Sequence, residues 1–379
     1  MNPFVLNRYI SPEYFCDRVE ETKEILSALK SGRSITLYAD RRLGKTSLIH
    51  HVLYQINNND PKVVTAYIDV FDTSNEIEFT SKIVSKVITA LEKNDQSIFK
   101  VATKYFSQIK PKLGFDPITN LPEFSFEISN EKEVELTLST LFAYLREKKK
   151  RIIIAIDEFQ QINEYKDSRL AATLREHIQN TPNVNYIFSG SRRHTLLQMF
   201  ASPNQPFFNA TQLYHLDKID PTIYKEFIAK HFKSAKTKIG DHIIEHILEW
   251  TYTHTSYVQE FCSRLYELDR EEITMKDVNV VKVQIFKSYE QVYFNYREML
   301  TFTQWNVLKA IGVEDEVRQP SSKTFLSKYA LGAQSSVTRA IEALIKNDMV
   351  LVSYDNQDTK VYYAQDVFLR RWMQYKYAK

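Results

Sequence analysis

The segment ADRRLGKTS at residues 39–47 constrains the fold of this chain more than any other. It stands between a short apolar run at 34–39 (SITLYA) and a helix-like stretch from about Lys45 to Asn57. It fits the pattern G-x-x-x-x-G-K-[ST], with Ala39 at the first glycine position. In such a loop, bare backbone N–H groups and a helix N-terminus surround phosphate oxygens. The segment therefore predicts a strand–loop–helix unit that binds a nucleotide, with ATP and Mg²⁺ as the expected ligands.

Each residue type in this loop suits a separate task. We expect Gly44 to keep the loop free of side-chain bulk, Lys45 to bridge the β- and γ-phosphates, and Thr46 to place a hydroxyl on Mg²⁺. Ser47 could add its N–H or its hydroxyl, and the two arginines of the loop could equally be solvated surface charge. The predicted nucleotide-binding residues of the loop are Ala39, Arg41, Arg42, Leu43, Gly44, Lys45, Thr46 and Ser47.

A second motif, IIIAIDE at 152–158, follows about 110 residues later. Its apolar residues do not alternate with polar ones, as is typical of a central strand in a parallel sheet. We expect Asp157 to hold Mg²⁺ together with Thr46, and Glu158 to act as general base toward the attacking water. Ligands of open α/β sheets bind beyond the carboxyl ends of strands, where both motifs fall.

The segment VNYIFSGSRR at 184–193 predicts a third strand that ends near the phosphates. Ser189 or Ser191 could contact the γ-phosphate, and the sequence does not choose between them. Arg192 or Arg193 could supply positive charge to the transition state, or simply begin a basic surface helix. The predicted catalytic residues are Glu158, Lys45, Ser189, Ser191 and Arg192.

Strand-like and helix-like segments alternate through about residues 1–218, which predicts a doubly wound parallel sheet. Within it we expect a helix over 12–31 that Gly32 ends, a capping box formed by Thr73 and Glu76, and a loop or insertion over 110–125. Residues 219–300 read as an all-helical lid. Three short helices and a strand pair then predict a winged-helix domain over 301–379.

The composition excludes several classes of protein. Two cysteines, Cys16 and Cys262, cannot form a disulfide framework. A net charge of +3 is too small to imply nucleic acid or membrane by itself. Apolar runs fall far below the roughly 18 residues that a membrane span needs. We therefore expect a cytoplasmic protein without a membrane segment. Glycine is scarce, at 7 of 379 residues, so its absence at position 39 says little about the site.

Two further features each admit two interpretations. The string His242-Ile-Ile-Glu245-His246 matches a zinc-protease pattern, but its isoleucines indicate an ordinary packed helix. Residues 291–379 hold 12 Lys+Arg against 9 Asp+Glu, and a helix beginning at about Gln334 carries Arg339. Such a helix could contact DNA, whereas winged helices also dock proteins, so the partner stays open.

The motifs, in their order along the chain, resemble the archaeal-ATPase-like branch of STAND P-loop ATPases, which are related to AAA+ proteins. The resemblance implies an ASCE/AAA+-like core and Mg-dependent ATP hydrolysis that drives a conformational switch of lid and winged helix, with oligomerisation open. It also implies that Arg18, flanked by Phe15 and Glu21, helps to wall the nucleotide pocket. The alternative is a nucleotide-gated DNA-binding or adaptor protein with negligible turnover. The segments that carry the resemblance are YISPEYFCDRVEE, LYADRRLGKTSL, IIIAIDEFQ, YIFSGSRR, HTSYVQEFC and DVFLRRWM.

Overall fold

The computed structural model contains two compact units, residues 8–217 (the core unit) and residues 1–7 with 218–379 (the C-terminal unit). The predicted domain limits at 218 and 300 stay predictions. The structure describes residues 1–6, 8–92, 100–101, 104–106, 111–115, 122–126, 128–166, 169–355 and 357–378.

Seven strands and six helices of the core unit are described here in chain order. The strands are β1 (Ile35–Tyr38), β2 (Val64–Asp69), β3 (Pro111–Phe115), β4 (Pro122–Phe126), β5 (Ile152–Asp157), β6 (Val184–Gly190) and β7 (Gln212–His215). The helices are α1 (Val19–Lys30), α2 (Lys45–Asn59), α3 (Glu76–Leu91), α4 (Glu131–Glu147), α5 (Leu170–Gln179) and α6 (Arg193–Ala201), with 3-10 helices at Pro12–Tyr14 and Phe159–Glu164.

Five of these strands form the predicted parallel sheet, in the order β2-β5-β6-β1-β7. Strand β6 thus separates β1, which leads into the phosphate loop, from β5, which ends in the acidic pair. Because all five strands run in the same direction, their carboxyl ends share one edge of the sheet. This order brings the motifs at 39–47, 157–158 and 189–193 to neighbouring positions on that edge.

Strand β5 is buried along its whole length. Ile152, Ile154 and Ile156 pack into the hydrophobic cluster on one face of the sheet, and Ile153 and Ala155 pack into the cluster on the other. A strand covered on both faces needs no polar positions, which explains its unbroken apolar sequence.

The N-terminal helix is shorter than predicted. Instead of one helix over 12–31, a 3-10 turn at Pro12–Tyr14 precedes α1, which begins at Val19. Asp17 and Arg18 between them have φ of 50° and 67°. The left-handed region cannot continue an α-helix, so the backbone there interrupts the predicted element.

The end of α1 is as predicted. Gly32 has a φ of 78°, its N–H donates to the Leu29 carbonyl, and the N–H of Arg33 donates to the Ala28 carbonyl. These two bonds make a Schellman motif, which favours glycine at the left-handed position.

The predicted capping box before α3 is wrong. Asn75 is the N-cap, and its side chain accepts from the Glu78 N–H. Thr73 is buried, and its hydroxyl donates to the Val70 carbonyl instead. Of the segment 110–125, predicted as a loop or insertion, residues 110 and 116–121 lie outside the described residues. In the described part β3 and β4 pair antiparallel, so the segment is not a plain loop.

The C-terminal unit begins with four helices, α7 (Pro221–Ser234), α8 (Asp241–Trp250), α9 (Thr255–Tyr266) and α10 (Met275–Met299). The expectation of an all-helical segment fails in one detail, since β8 (Lys238–Ile239) and β9 (Glu272–Ile273) form a short parallel pair. The segment 242–246, which matches the zinc-protease pattern, lies on α8. Its Glu245 pairs with Lys225 at 2.7 Å, and its two isoleucines are buried.

The remainder of this unit has the predicted helix–helix–helix–hairpin order. Its core contains Trp305, Leu344 and Trp372. The elements are α11 (Phe302–Glu314), α12 (Lys323–Tyr329), α13 (Gln334–Lys346), β10 (Val350–Tyr354), β11 (Lys360–Ala364), which pairs antiparallel with β10, and α14 (Val367–Tyr377). No helix in the described part of the chain is long and apolar enough to cross a membrane.

Candidate nucleotide-binding site

The loop between β1 and α2 has the backbone of a phosphate-binding loop. Arg42 and Gly44 have φ of 66° and 91°, and Gly44 is the N-cap of α2. The first N–H groups of a helix have no acceptor within the helix, so they can bind phosphate oxygens. Ala39 does not have a positive φ, and its methyl group is fully buried in the core. This position therefore does not require glycine.

The Lys45 side chain is buried and bonds to the backbone at the start of the loop. Its side chain is only 6% exposed, and Nζ donates to the carbonyl oxygens of Ala39 at 3.1 Å and Asp40 at 3.0 Å. Burial lowers the pKa of the Lys45 ammonium, and nearby carboxylates, with Asp157 the strongest, act in the opposite direction. The site thus contains a buried cation placed among acidic groups.

The Asp157 carboxylate accepts hydrogen bonds from side chains of three different elements. Thr46 Oγ1 on α2 donates to Oδ2 at 2.6 Å, and Tyr67 Oη on β2 donates to the same oxygen at 3.1 Å. Ser189 Oγ on β6 donates to Oδ1 at 2.5 Å. A carboxylate beside a threonine hydroxyl is a set of oxygen donors that suits Mg²⁺. The residues present therefore fit the predicted metal.

Glu158 follows directly, with a left-handed φ of 56°. Its Oε2 accepts from Ser191 N at 3.2 Å, from Ser191 Oγ at 2.8 Å and from Gln160 Nε2 at 2.5 Å. The two serines that the sequence could not rank thus have different partners, since Ser189 contacts Asp157 and Ser191 contacts Glu158. Their predicted contact with the γ-phosphate stays a prediction.

The two candidate arginines also differ. Arg192 forms an ion pair with Glu164 at 2.5 Å, at a half-exposed position. Arg193 lies 3.8 Å from the Asp40 carboxylate and 5.7 Å from the centre of the Tyr38 ring, so it contacts the phosphate loop. The catalytic role of Arg192 stays a prediction.

Arg18 joins the segment before α1 to the phosphate loop. It is 3% exposed, bonds Glu21 at 2.6 Å and donates to the Leu43 carbonyl at 3.3 Å. Phe15 stacks on His51 with ring centres 4.4 Å apart. Of the other predicted loop residues, Leu43 is buried, Arg41 and Ser47 are half-buried, and Arg42 is exposed.

Sequence reasoning missed Tyr67 and Gln160. Tyr67 reaches Asp157 because β2 pairs with β5, a neighbour that no local pattern reveals. Burial, reinforced by the Asp157 charge, raises the pKa of the Tyr67 hydroxyl, so it remains a donor at neutral pH. Gln160 could have been noticed as the polar residue two positions beyond the predicted base.

The family comparison agrees with this geometry. The model of an ATPase domain predominantly from Archaea matches residues 15–261. The chain belongs to this archaeal ATPase family. A model of a probable winged helix domain matches residues 291–375. Both matches confirm the predicted resemblance to archaeal ATPases and the predicted order of a P-loop core and a C-terminal winged helix.

Several solved structures have the same fold as this chain. A Walker-type ATPase of Pyrococcus abyssi superposes with a TM-score of 0.64 at 18% identity, over 98% of this chain and 99% of that one. The ORC2 protein of Aeropyrum pernix, in ADPNP–ADP complexes, gives 0.60 at 13% identity, over 100% and 98%. The ORC1 protein of the same organism, in complex with DNA, gives 0.50 at 11% identity, over 96% and 94%. None of the curated proteins compared matches the chain.

Proposed function

We propose that this chain is a Mg²⁺-dependent ATPase of the STAND type, in which hydrolysis switches the position of the helical lid and the winged helix. The observation that carries the proposal is the 2.6 Å bond between Thr46 Oγ1 and Asp157 Oδ2. It joins the hydroxyl of the phosphate loop to the carboxylate at the end of β5, which are the two groups expected to hold the metal. Membership of an archaeal ATPase family supports the same conclusion.

The proposed reaction assigns one task to each side chain. The N-terminus of α2 and the Lys45 ammonium bind the β- and γ-phosphates. Thr46 and Asp157 would hold Mg²⁺, which neutralises phosphate charge. Glu158 orients the attacking water and accepts its proton. Ser189, Ser191 and an arginine at 192 or 193 are the candidates for sensing the γ-phosphate.

Measurements of ATP affinity and phosphate release, with and without Mg²⁺, test this proposal. Lys45→Ala should weaken ATP binding by at least roughly tenfold, since it removes a buried cation from the phosphate site. Glu158→Gln should keep ATP affinity and lower kcat by roughly 10² to 10⁴, the usual contribution of a general base. The matched control is Glu20→Gln, the same chemical change at an exposed residue that pairs with Lys23, and it should behave as wild type.

Two results would contradict the proposal. An unchanged ATP affinity in Lys45→Ala would refute the proposal that this loop binds the phosphates of ATP. If the wild type binds ATP but shows no turnover that Glu158→Gln lowers, the proposed ATPase activity is refuted.

The second candidate is a nucleotide-gated DNA-binding or adaptor protein with negligible turnover. The exposed start of α13, with Gln334, Ser335 and Arg339 at the surface, favours it. A structural neighbour bound to DNA supports it at the level of the fold. A DNA mobility shift that weakens with salt and is lost in Arg339→Glu, but kept in Arg297→Glu on the exposed side of α10, would favour this candidate. The absence of any shift at low salt would remove DNA as the partner.

A further inference from the structure

Gln160 is a buried residue to which the proposed mechanism gives no task. It lies in the first turn of the 3-10 helix Phe159–Glu164 and is 3% exposed. Its Nε2 donates to Glu158 Oε2 at 2.5 Å, whereas its Oε1 is buried and accepts no hydrogen bond from any described residue. A buried amide oxygen without a partner costs free energy. The bond from Nε2 to the carboxylate is therefore what holds the amide in this orientation.

Gly190 provides the space for this amide. A Cβ atom built on Gly190 would lie 1.8 Å from Gln160 Oε1 and 2.9 Å from Cδ. Gly190 does not have a positive φ, so its backbone conformation does not require glycine. Glycine is scarce in this chain, at 7 residues, and at position 190 its lack of a side chain leaves space for the Gln160 amide.

Ser191, the residue after Gly190, supplies the other donors to Glu158. The N–H and hydroxyl of Ser191 both donate to Oε2, the oxygen that Gln160 also contacts. No described residue donates to Oε1. Three donors that converge on one carboxylate oxygen fix the carboxylate plane. They leave the other oxygen to accept a hydrogen bond from water.

We infer that Gln160 and Ser191 are positioning residues that fix the Glu158 carboxylate so that Oε1 faces the attacking water. The inference rests on the proposed ATPase function. A general base works only within hydrogen-bond reach of the proton it takes, and a small misplacement lowers the rate steeply. The left-handed backbone of Glu158 gives a second reason for such support, because strained residues persist only when their surroundings hold them.

Gln160→Met is the direct test. Methionine keeps the length of the side chain and its packing against Gly190, but it removes the donor to Glu158 and the oxygen that has no partner. We expect kcat to fall about tenfold, as for the loss of one charge-assisted hydrogen bond. The KM for ATP should not change. The unfolding temperature should not fall, because removal of the buried oxygen that has no partner offsets the loss of the hydrogen bond to Glu158. A purely structural role would instead lower the unfolding temperature and leave kcat unchanged, and that result would overturn the inference.

Gln161→Met is the matched control. The side chain of this neighbouring glutamine donates to the Thr73 carbonyl at 3.1 Å and not to the Glu158 carboxylate. Its backbone N–H donates to the Glu158 carbonyl, and the substitution keeps that bond, so kcat should stay within about twofold of wild type. Equal kcat losses in Gln160→Met and Gln161→Met would refute the positioning role. In a Glu158→Gln background, Gln160→Met should have no further effect on kcat, because both changes act on the same group.

The failure of this inference can be told from the failure of the proposed function. If the wild type has no turnover, or if Glu158→Gln leaves turnover unchanged, both fail together. If Glu158→Gln abolishes turnover while Gln160→Met behaves as wild type, the ATPase stands and only the positioning role fails.

Discussion

The contact between Gly190 and Gln160 yields a prediction that needs no nucleotide to test. In Gly190→Ala, the new methyl group would lie 1.8 Å from Gln160 Oε1. The backbone of Gly190 cannot retreat easily, because it is the last residue of β6 and pairs with Tyr38 of β1. The Gln160 amide must instead move by about 1.6 Å to reach ordinary van der Waals contact, and it then loses its 2.5 Å bond to Glu158.

The size of the effect follows from these two changes. A hydrogen bond to a charged group is worth roughly 1.5–3 kcal/mol, and overpacking of a buried site costs roughly 1–3 kcal/mol. Since movement of Gln160 relieves part of the overpacking, we expect a total loss of about 2 kcal/mol in the free energy of unfolding. For a unit of roughly 200 residues, this loss lowers the unfolding temperature by about 4–8 °C.

Thermal and urea unfolding of four proteins measures this: wild type, Gly190→Ala, Gln160→Ala and the double variant. Truncation of Gln160 restores the space, so Gly190→Ala should be nearly neutral in the Gln160→Ala background, with a coupling free energy of roughly 1–2 kcal/mol. If the methyl group at 190 costs the same in both backgrounds, the steric reasoning is wrong.

The remaining predictions concern two local features. Gly32→Ala should lower the free energy of unfolding by about 1 kcal/mol in a urea titration, because φ is 78° there, although a Cβ would meet nothing within 4 Å. An unchanged urea midpoint would contradict this. Asp277 is the N3 residue of the capping box of α10, whose N-cap is Thr274. The hydrogen bond from the Thr274 side chain is the main cause that lowers the pKa of the Asp277 carboxyl below 3.8. Its stabilising contribution is therefore present above that value and lost as the pH falls through the folded pKa. In urea unfolding at pH 6 and pH 3, Asp277→Asn should lose less stability on acidification than wild type, and an equal loss would refute this role.

The sequence predicted correctly those elements whose local pattern favours a single structure. Residues 152–156 predicted a buried strand correctly, because five apolar residues in a row suit a strand covered on both faces. The loop at 39–44 and Gly32 were equally predictable, since both depend on a glycine in the left-handed region. The winged-helix order followed from three helical segments and a strand pair.

Prediction failed where neighbouring residues offered equally good local signals. Thr73 and Asn75 can both cap a helix, and burial of Thr73 against the Val70 carbonyl left the cap to Asn75. The helix expected from residue 12 was interrupted at Asp17 and Arg18, where φ is positive, although the composition of that segment suits a helix. Such choices depend on contacts that the local sequence does not contain.

The sequence by itself named the P-loop, the acidic pair and the serines, because each lies in a contiguous motif at the end of a strand. Only the tertiary structure decided how they meet. The strand order places β2 beside β5, which brings Tyr67 to Asp157, and places β6 between β1 and β5, which brings Ser189 to the same carboxylate. The contact of Gln160 with Gly190 likewise joins segments 30 residues apart. The physical reason is that hydrophobic periodicity specifies which face of a strand is buried, whereas its neighbours depend on how all the helices and strands pack together.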